Sequence, residues 1–265
     1  MEIKWYGTAS ISIEDQGVKL LFDPFVRMNK RLRPAITLAD YKGADAIFAT
    51  HGHFDHIFSV PDIEKTESTP VYATKTPVET LKKEGVAPEK LHVIAPGDKI
   101  NIGHFTVTAY QAKHVTFDAK YVLSVIPQSV ILCPKIFYQE YLNIKFPENN
   151  ENLGYLIENG EKRVFIMGSF GTVPEETYPK NCDMFILPFG GCTKVPELTA
   201  PFISYMMPKS VLITHYDNSF PPATRRVDAE GLCARIHKDH PGIRVIIPTE
   251  KKGYDLHKIT QTVKS

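Results

Sequence analysis

Apolar and polar positions alternate from the first residues: Ile3 and Trp5, then Ile11 and Ile13, stand between polar neighbours, with Gly7 separating the two pairs. A period of two predicts half-buried strands within Glu2 to Glu14. Gly17 marks a turn into Val18 to Phe22, a short apolar strand that stops at Asp23-Pro24. Residues 25–36 carry basic side chains and Pro34 and read as a loop. Ala44 to Ala49 is a candidate buried strand. Thr76, Pro77 and Glu79 have the spacing of N-cap, N1 and N3, which predicts a helix with a capping box that ends near Gly85. Residues 100–111 alternate as one strand, with Phe105, Val107 and Ala109 on one face. Strands recur at 153–158, 163–167, 183–187, 210–214 and 243–247, and helices are expected at 196–206 and 227–239. This order fits two β-rich halves packed face to face, with helices outside, better than an all-parallel sheet.

The strand at 44–49 delivers the chain to Thr50-His51-Gly52-His53-Phe54-Asp55-His56. Imidazole nitrogen and carboxylate oxygen are the usual protein ligands of zinc and similar divalent ions. On an extended or looped backbone, residues two apart project to the same side. His51 and His53 can therefore reach one ion together, while Asp55 and His56, past the bend, turn towards a neighbouring point. A His-rich surface loop is the rival reading; Gly52 and the apolar strand just before weigh against it. Two ions need further donors, and loops collect at the carboxyl ends of strands. His114 follows the alternating strand, and His215 follows Val211-Leu212-Ile213-Thr214. Either one alone would be an ordinary histidine, but beside the first segment the metal reading is the better one. His92, His104, His237, His240 and His257 lack such placement.

Composition narrows the class. A chain of 265 residues with a net charge of +1 has no field to steer nucleic acid or an anionic membrane, so a small-molecule substrate is expected instead. Its length suits one large domain over 1–265. The cysteines, Cys133, Cys182, Cys192 and Cys233, form no C-x-x-C pair and read as free thiols of a cytoplasmic protein. No secretory signal is visible at the start, and the uncharged stretch Tyr121 to Pro134 is too short for a bilayer span.

The segment His51-x-His53-x-Asp55-His56, with His114 and His215, resembles the metallo-β-lactamase superfamily. Within it the chain is most similar to the metal-dependent hydrolase branch that includes the ascorbate-6-phosphate lactonase-like proteins. Ile3 to Ile13, Leu21-Phe22-Asp23-Pro24, Pro96-Gly97-Asp98, Gly154-Tyr155-Leu156-Ile157 and Pro208-Lys209 to His215 echo that branch. The resemblance covers nearly the whole chain apart from about 115–150. It implies an α+β fold, an αββα sandwich of two mixed β-sheets face to face with helices outside, and a site at one edge between the sheets. It further implies a first ion held by His51, His53 and His114, a second held by Asp55, His56 and His215, and a water or hydroxide between them as nucleophile.

One position departs from the family pattern. Where the family carries a bridging aspartate in a Gly-Asp-Thr type sequence, this chain has Gly168-Ser169-Phe170-Gly171. A neutral hydroxyl leaves a two-metal centre one charge more positive, with the ions only about 3.5–4 Å apart. We therefore expect zinc, or alternatively manganese or iron, with one ion firmly bound and the second site weak. A substitute carboxylate is one way out, and Glu175 and Glu176 are the nearest in sequence. Asp55 is the expected catalytic base. Asp23 above all, then Thr50, Asp183 and Asp217, are candidates to hold the ligating rings through their other N–H. The reaction implied is hydrolysis of a small ester, lactone, amide or phosphoester by metal-activated water. The alternative is a metal-binding protein of the same fold whose turnover is impaired by Ser169. The segment 115–150, rich in residues such as Phe117, Tyr121, Tyr138 and Phe146, reads either as a lid over an apolar pocket or as a homo-oligomer contact.

Overall fold

The computed structural model describes residues 1–28, 34–116, 138, 141–190, 194–219 and 227–261. Its alternating segments become strands whose two faces bury different cores. In β1 (Glu2–Trp5), β3 (Val18–Phe22) and β4 (Ala46–Phe48), the residues Ile3, Trp5, Leu20, Phe22, Ala46 and Phe48 point into one core. Their neighbours Leu21 and Ile47 point the other way, onto Tyr41, Ile63 and Leu81 under the helices of the first half. The period of two is what lets three short strands serve two cores.

Among the described residues the strands form two sheets of seven. The first adds β2 (Ile11–Asp15), β5 (Val71–Ala73), β6 (Leu91–Val93) and β14 (Gly253–Asp255), in the order β14-β1-β2-β3-β4-β5-β6. The second consists of β7 (Lys99–Ile102), β8 (Phe105–Ala112), β9 (Asn152–Glu158), β10 (Arg163–Met167), β11 (Met184–Pro188), β12 (Ser210–Thr214) and β13 (Arg244–Ile246), in the order β13-β12-β11-β10-β9-β8-β7. Each sheet is parallel in one half, β3 to β6 and β10 to β13, and antiparallel in the other. Their facing sides share one core. Helices α2 (Val60–Glu67) and α3 (Lys75–Lys83) lie outside the first sheet, and α4 (Val195–Met206) and α5 (Glu230–Asp239) outside the second. Further helices among the described residues are the single-turn α1 (Phe54–Ile57) and α6 (Leu256–Gln261), with 3-10 turns at Leu38–Tyr41 and Pro88–Lys90 and helical backbone over 141–145. This is the αββα sandwich that the resemblance implies.

Two local expectations are corrected. The strand expected over 100–111 is a hairpin, β7 and β8, folded at Gly103-His104 with Ile100 opposite Val107. Gly103 takes a φ of +58°, which a two-residue hairpin loop demands and which apolar alternation does not reveal. The helix expected to start at a Thr76 capping box starts at Lys75, with Thr74 at its N-cap and no side-chain capping bond. Thr76 instead donates its N–H and its hydroxyl to the Glu151 carboxylate, at 2.8 and 2.7 Å. The cap comes from the turn before β9, a contact that no local spacing encodes. The three-residue strands β5, β6 and β14 were too short for periodicity to register.

Among the described residues Cys182 and Cys233 are free thiols, and no helix is long and apolar enough to cross a membrane. Most of the 115–150 segment, including Phe117 and Tyr121, lies outside the described residues. Of its described part, Leu142 and Phe146 are buried, while Tyr141 and Ile144 are exposed.

Candidate metal centre

Strand direction brings the chemistry to one edge. Asp23 follows β3, the His51–His56 segment follows β4, His114 follows β8, Ser169 follows β10 and His215 follows β12. Two groups of donor atoms result, His51 with His53 and His114, and Asp55 with His56 and His215; within each, the atoms lie within 4.8 Å of one another. In the first, His51 Nε2 is 3.1 Å from His53 Nδ1, and the His114 ring centroid is 5.2 and 4.7 Å from those of His51 and His53. In the second, the Asp55 carboxylate is 3.3 Å from His215 Nε2 and 3.7 Å from His56 Nε2. The His51 and His56 ring centroids are 3.8 Å apart, so the two groups adjoin.

Buried partners fix which nitrogen each ring offers. Asp23, fully buried, accepts the Thr50 N–H and the Thr50 hydroxyl at 2.7 Å each, and its other contact is His56 Nδ1 at 2.8 Å. Thr50 Oγ1, its proton given to Asp23, is left to accept from His51 Nδ1 at 3.0 Å. His114 Nδ1 donates to the Val115 carbonyl at 2.8 Å. In all three rings the nitrogen turned away from the cluster is engaged, which turns Nε2 inward as the atom that would ligate an ion. Space is reserved just as tightly. A Cβ on Gly168 would stand 1.9 Å from Thr50 Oγ1, and one on Gly52 would stand 2.2 Å from the Pro147 carbonyl oxygen.

His215 is held by its backbone. Its N–H donates to the Thr8 carbonyl at 2.8 Å, and its φ of 59° lies in the left-handed region. Thr8 in turn donates its N–H to Asp217 at 2.9 Å. Asp217 therefore acts on the loop that carries a ligand rather than on a ring. Asp183, a sequence candidate for holding a ring, is corrected: it precedes β11 and so sits at the opposite edge, where it accepts the Arg163 N–H at 2.9 Å and pairs with Lys209 at 2.7 Å. Ser169 is buried, and its hydroxyl accepts the Val115 N–H at 3.0 Å, tying down the residue after His114. It stands in neither donor group. Glu175 is exposed, and the Glu176 carboxylate accepts the backbone N–H groups of Gln111 and Thr177.

Sequence reasoning missed one carboxylate. Glu148 lies next to Pro147, whose carbonyl packs on Gly52 inside the histidine motif, and it accepts from the Asn152 side-chain amide. Asn152 pairs with Ala112, two residues before His114. The only hint in the sequence is Gly52 itself, which announces a close approach but not by what.

The electrostatics of the metal-free cluster are asymmetric. Burial, reinforced by the neighbouring rings, pushes His51 well below the ordinary imidazole range and His53 down to about 4. Burial also lowers His114, opposed by the Val115 carbonyl and by the Glu148 charge. Burial would lower His56 too, but Asp23 and Asp55 outweigh it and raise that ring. For Asp55, burial acts upwards and is overcome by His56, His215 and His53, which hold the carboxyl below its usual range. His51, His53 and His114 are thus neutral and ready to ligate at neutral pH, whereas His56 holds its proton more tightly.

A pH dependence follows for the metal-free protein. An unfolded His53 binds its proton near pH 6.5 and the folded one only near 4, so in that window the unfolded chain carries more protons. Stability must then fall as pH falls. His53 alone contributes a loss of about 2 kcal/mol on going from pH 7 to pH 5. His51 and His114 add to it, and His56, raised instead, opposes it. Urea midpoints measured after chelation should be clearly lower at pH 5 than at pH 7; equal midpoints would show that the rings are not buried as described.

The donor set fits a divalent ion: nitrogen and carboxylate oxygen, in two groups of three, with the outward ring nitrogens of His51, His56 and His114 already engaged. The chain is similar to several known proteins. A UPF0173 metal-dependent hydrolase of Polynucleobacter asymbioticus is 27% identical over 243 residues, covering 86% of this chain and 78% of that protein. One from an Exiguobacterium species is 26% identical over 244 residues, covering 90% and 94%. Among solved structures, Igni18, a metallo hydrolase from Ignicoccus hospitalis, superposes with a TM-score of 0.66 at 20% identity, covering 96% of this chain and 98% of that one. CmlA, a diiron β-hydroxylase from Streptomyces venezuelae, gives 0.62 at 14% identity, covering 92% of this chain and 52% of its own. These structural likenesses speak for the fold alone. A β-lactamase superfamily domain is recognised over residues 19–216, most of the chain, and with the two sheets described above the protein belongs to the metallo-β-lactamase superfamily.

Proposed function

We propose that this protein is a metal-dependent hydrolase that cleaves a small ester or lactone, with amides and phosphoesters as the wider class. The observation that carries the reading is the juxtaposition of the two donor groups, joined by His51 and His56 with ring centroids 3.8 Å apart. His51, His53 and His114 would hold one divalent ion and Asp55, His56 and His215 a second; zinc suits the nitrogen-rich set, and manganese or iron are the alternatives. Such an ion supplies a water activated near neutral pH and polarises the bond to be cleaved. The chain's own part is to orient and to move protons. Asp23 and Thr50 keep the ring nitrogens facing inward. Asp55 is ionised and within reach of both His56 and His215, placed to take a proton from an attacking water. The hold of Asp23 and Asp55 on the His56 proton and the hydroxyl at position 169 support a weaker second ion. A near-neutral charge supports a small-molecule substrate without nucleic acid or membrane, and the free thiols of Cys182 and Cys233 support a cytoplasmic setting. Exposed Tyr141 and Ile144 support a lid or a homo-oligomer contact in the 115–150 segment.

Ser169 favours a second reading, a metal-binding protein with impaired turnover, because its hydroxyl is committed to the Val115 N–H. Two experiments separate the readings. Ester, lactone and phosphodiester substrates should be screened with added Zn2+ or Mn2+ and again after chelation. Chelation should abolish any turnover, and activity that survives metal removal would refute the hydrolase proposal. Ser169→Asp should raise the affinity for a second Zn2+ by about 10-fold or more, as outer and bridging carboxylates commonly do. If it also turns an inert protein into an active one, the second reading holds.

A further inference from the structure

The two donor groups hold five imidazoles and one carboxylate, Asp55, and a further carboxylate lies at their edge. We infer that Glu148, oriented by Asn152, supplies at the edge of the metal centre the negative charge that position 169 does not. The inference rests on the metal reading above and adds to it a residue outside both donor groups.

The placement follows from backbone contacts. The Pro147 carbonyl sits directly over Gly52, so the next residue leaves the backbone beside His51 and His53. The Leu153 N–H donates to the Thr50 carbonyl at 2.8 Å, fastening the far end of the same turn to the start of the histidine motif. Between these anchors the Glu151 N–H closes a turn on the Glu148 carbonyl at 3.0 Å, with Asn149 and Asn150 in the left-handed region. The Asn152 amide then donates to the Glu148 carboxylate. Because Asn152 is the β9 partner of Ala112, this pair lies across from the strand that delivers His114.

A second observation points the same way. Asn152 is buried, and its Oδ1 has no hydrogen-bond partner among the described residues. A buried acceptor left open is uncommon and calls for a donor that arrives later, such as a water of the loaded centre. Its amide nitrogen, meanwhile, is spent on holding Glu148 still. Glu175 and Glu176, closer to Ser169 in sequence, do neither job.

The test uses Zn2+ alone, titrated against a competing chromophoric chelator into the full-length protein. Glu148→Gln keeps the shape and the Asn152 contact but removes the charge. It should bind Zn2+ about 10- to 100-fold more weakly, the range for carboxylates that act from just outside a metal's ligands. Adding Ser169→Asp should gain more affinity in that variant than in the wild type, because only there does the new charge replace a lost one; a merely structural role for Glu148 would give the same gain in both. Melting curves of the metal-free proteins separate folding from binding. Should Glu148→Gln not fold, Glu148→Asp, which keeps the charge on a shorter arm, should bind more tightly than Glu148→Ala. Wild-type affinity in Glu148→Gln, or a Ser169→Asp gain no larger in that variant than in the wild type, would overturn the inference and leave the metal reading intact. No Zn2+ binding by the wild type would overturn both.

Discussion

Replacing Asp55 by asparagine should cut turnover by about 10²–10⁴-fold, the usual share of a positioned proton acceptor. Asp55 is the one carboxylate in either donor group among the described residues. It stands 3.3 Å from His215 Nε2 and 3.7 Å from His56 Nε2, so its negative charge is shared between the two rings of the second group. Asparagine has nearly the same shape and can still accept a hydrogen bond, but it can neither take a proton nor balance a cation. Steady-state rates on whichever ester or lactone proves reactive, read with the metal content of the same sample, check the assignment. If Asp55→Asn keeps its metal and more than a tenth of its activity, Asp55 is not the base. If it loses only the second ion, Asp55 acts through the metal instead.

How much of this was legible beforehand depended on range. The motif at 51–56 is local, and periodicity placed the strands ahead of His51, His114 and His215, so the six donor residues could be gathered from strand ends alone. Long apolar runs such as Val211 to Ile213 are unambiguous because parallel strands covered on both faces leave no polar gap. Asp183 misled because an aspartate beside a strand looks the same at either end, and only strand direction tells the site edge from the far edge. Thr76 misled because its true capping partner, Glu151, comes from another part of the chain. Glu148 was invisible for the same reason. Its relation to His114 passes through the β8–β9 register and a carbonyl packed on Gly52, neither of which leaves a spacing to read.

The same long-range logic makes Arg27 the most consequential residue outside the donor groups. It follows β3 in a segment that reads as a loop, yet its side chain is only 3% exposed. Its guanidinium pairs with Glu250, approaches Asp217 at 3.8 Å and donates to the Pro34 carbonyl at 2.7 Å. Two distant loops thus meet Arg27's own loop on one cation. Arg27→Met fills much the same volume but takes the cation away from the buried Asp217 and the partly buried Glu250. Removing one partner of a buried ion pair costs about 3–5 kcal/mol, because the partner's desolvation is no longer offset. For a chain of this size that corresponds to a fall of roughly 10 °C in Tm. The loss should not stop at stability. Asp217 holds the Thr8 N–H, and the Thr8 carbonyl holds the His215 N–H, so the second donor group should loosen and release its ion first. Calorimetry and metal counting on one preparation read both effects. The triple change Arg27→Met, Asp217→Asn and Glu250→Gln discriminates the cause: with no charge left to strand, it should recover most of the lost stability, since neutral replacements of whole buried ion networks are often harmless. A fall of less than 1 kcal/mol in Arg27→Met would instead mean that water reaches the network, and that His215 is positioned by its own strand alone.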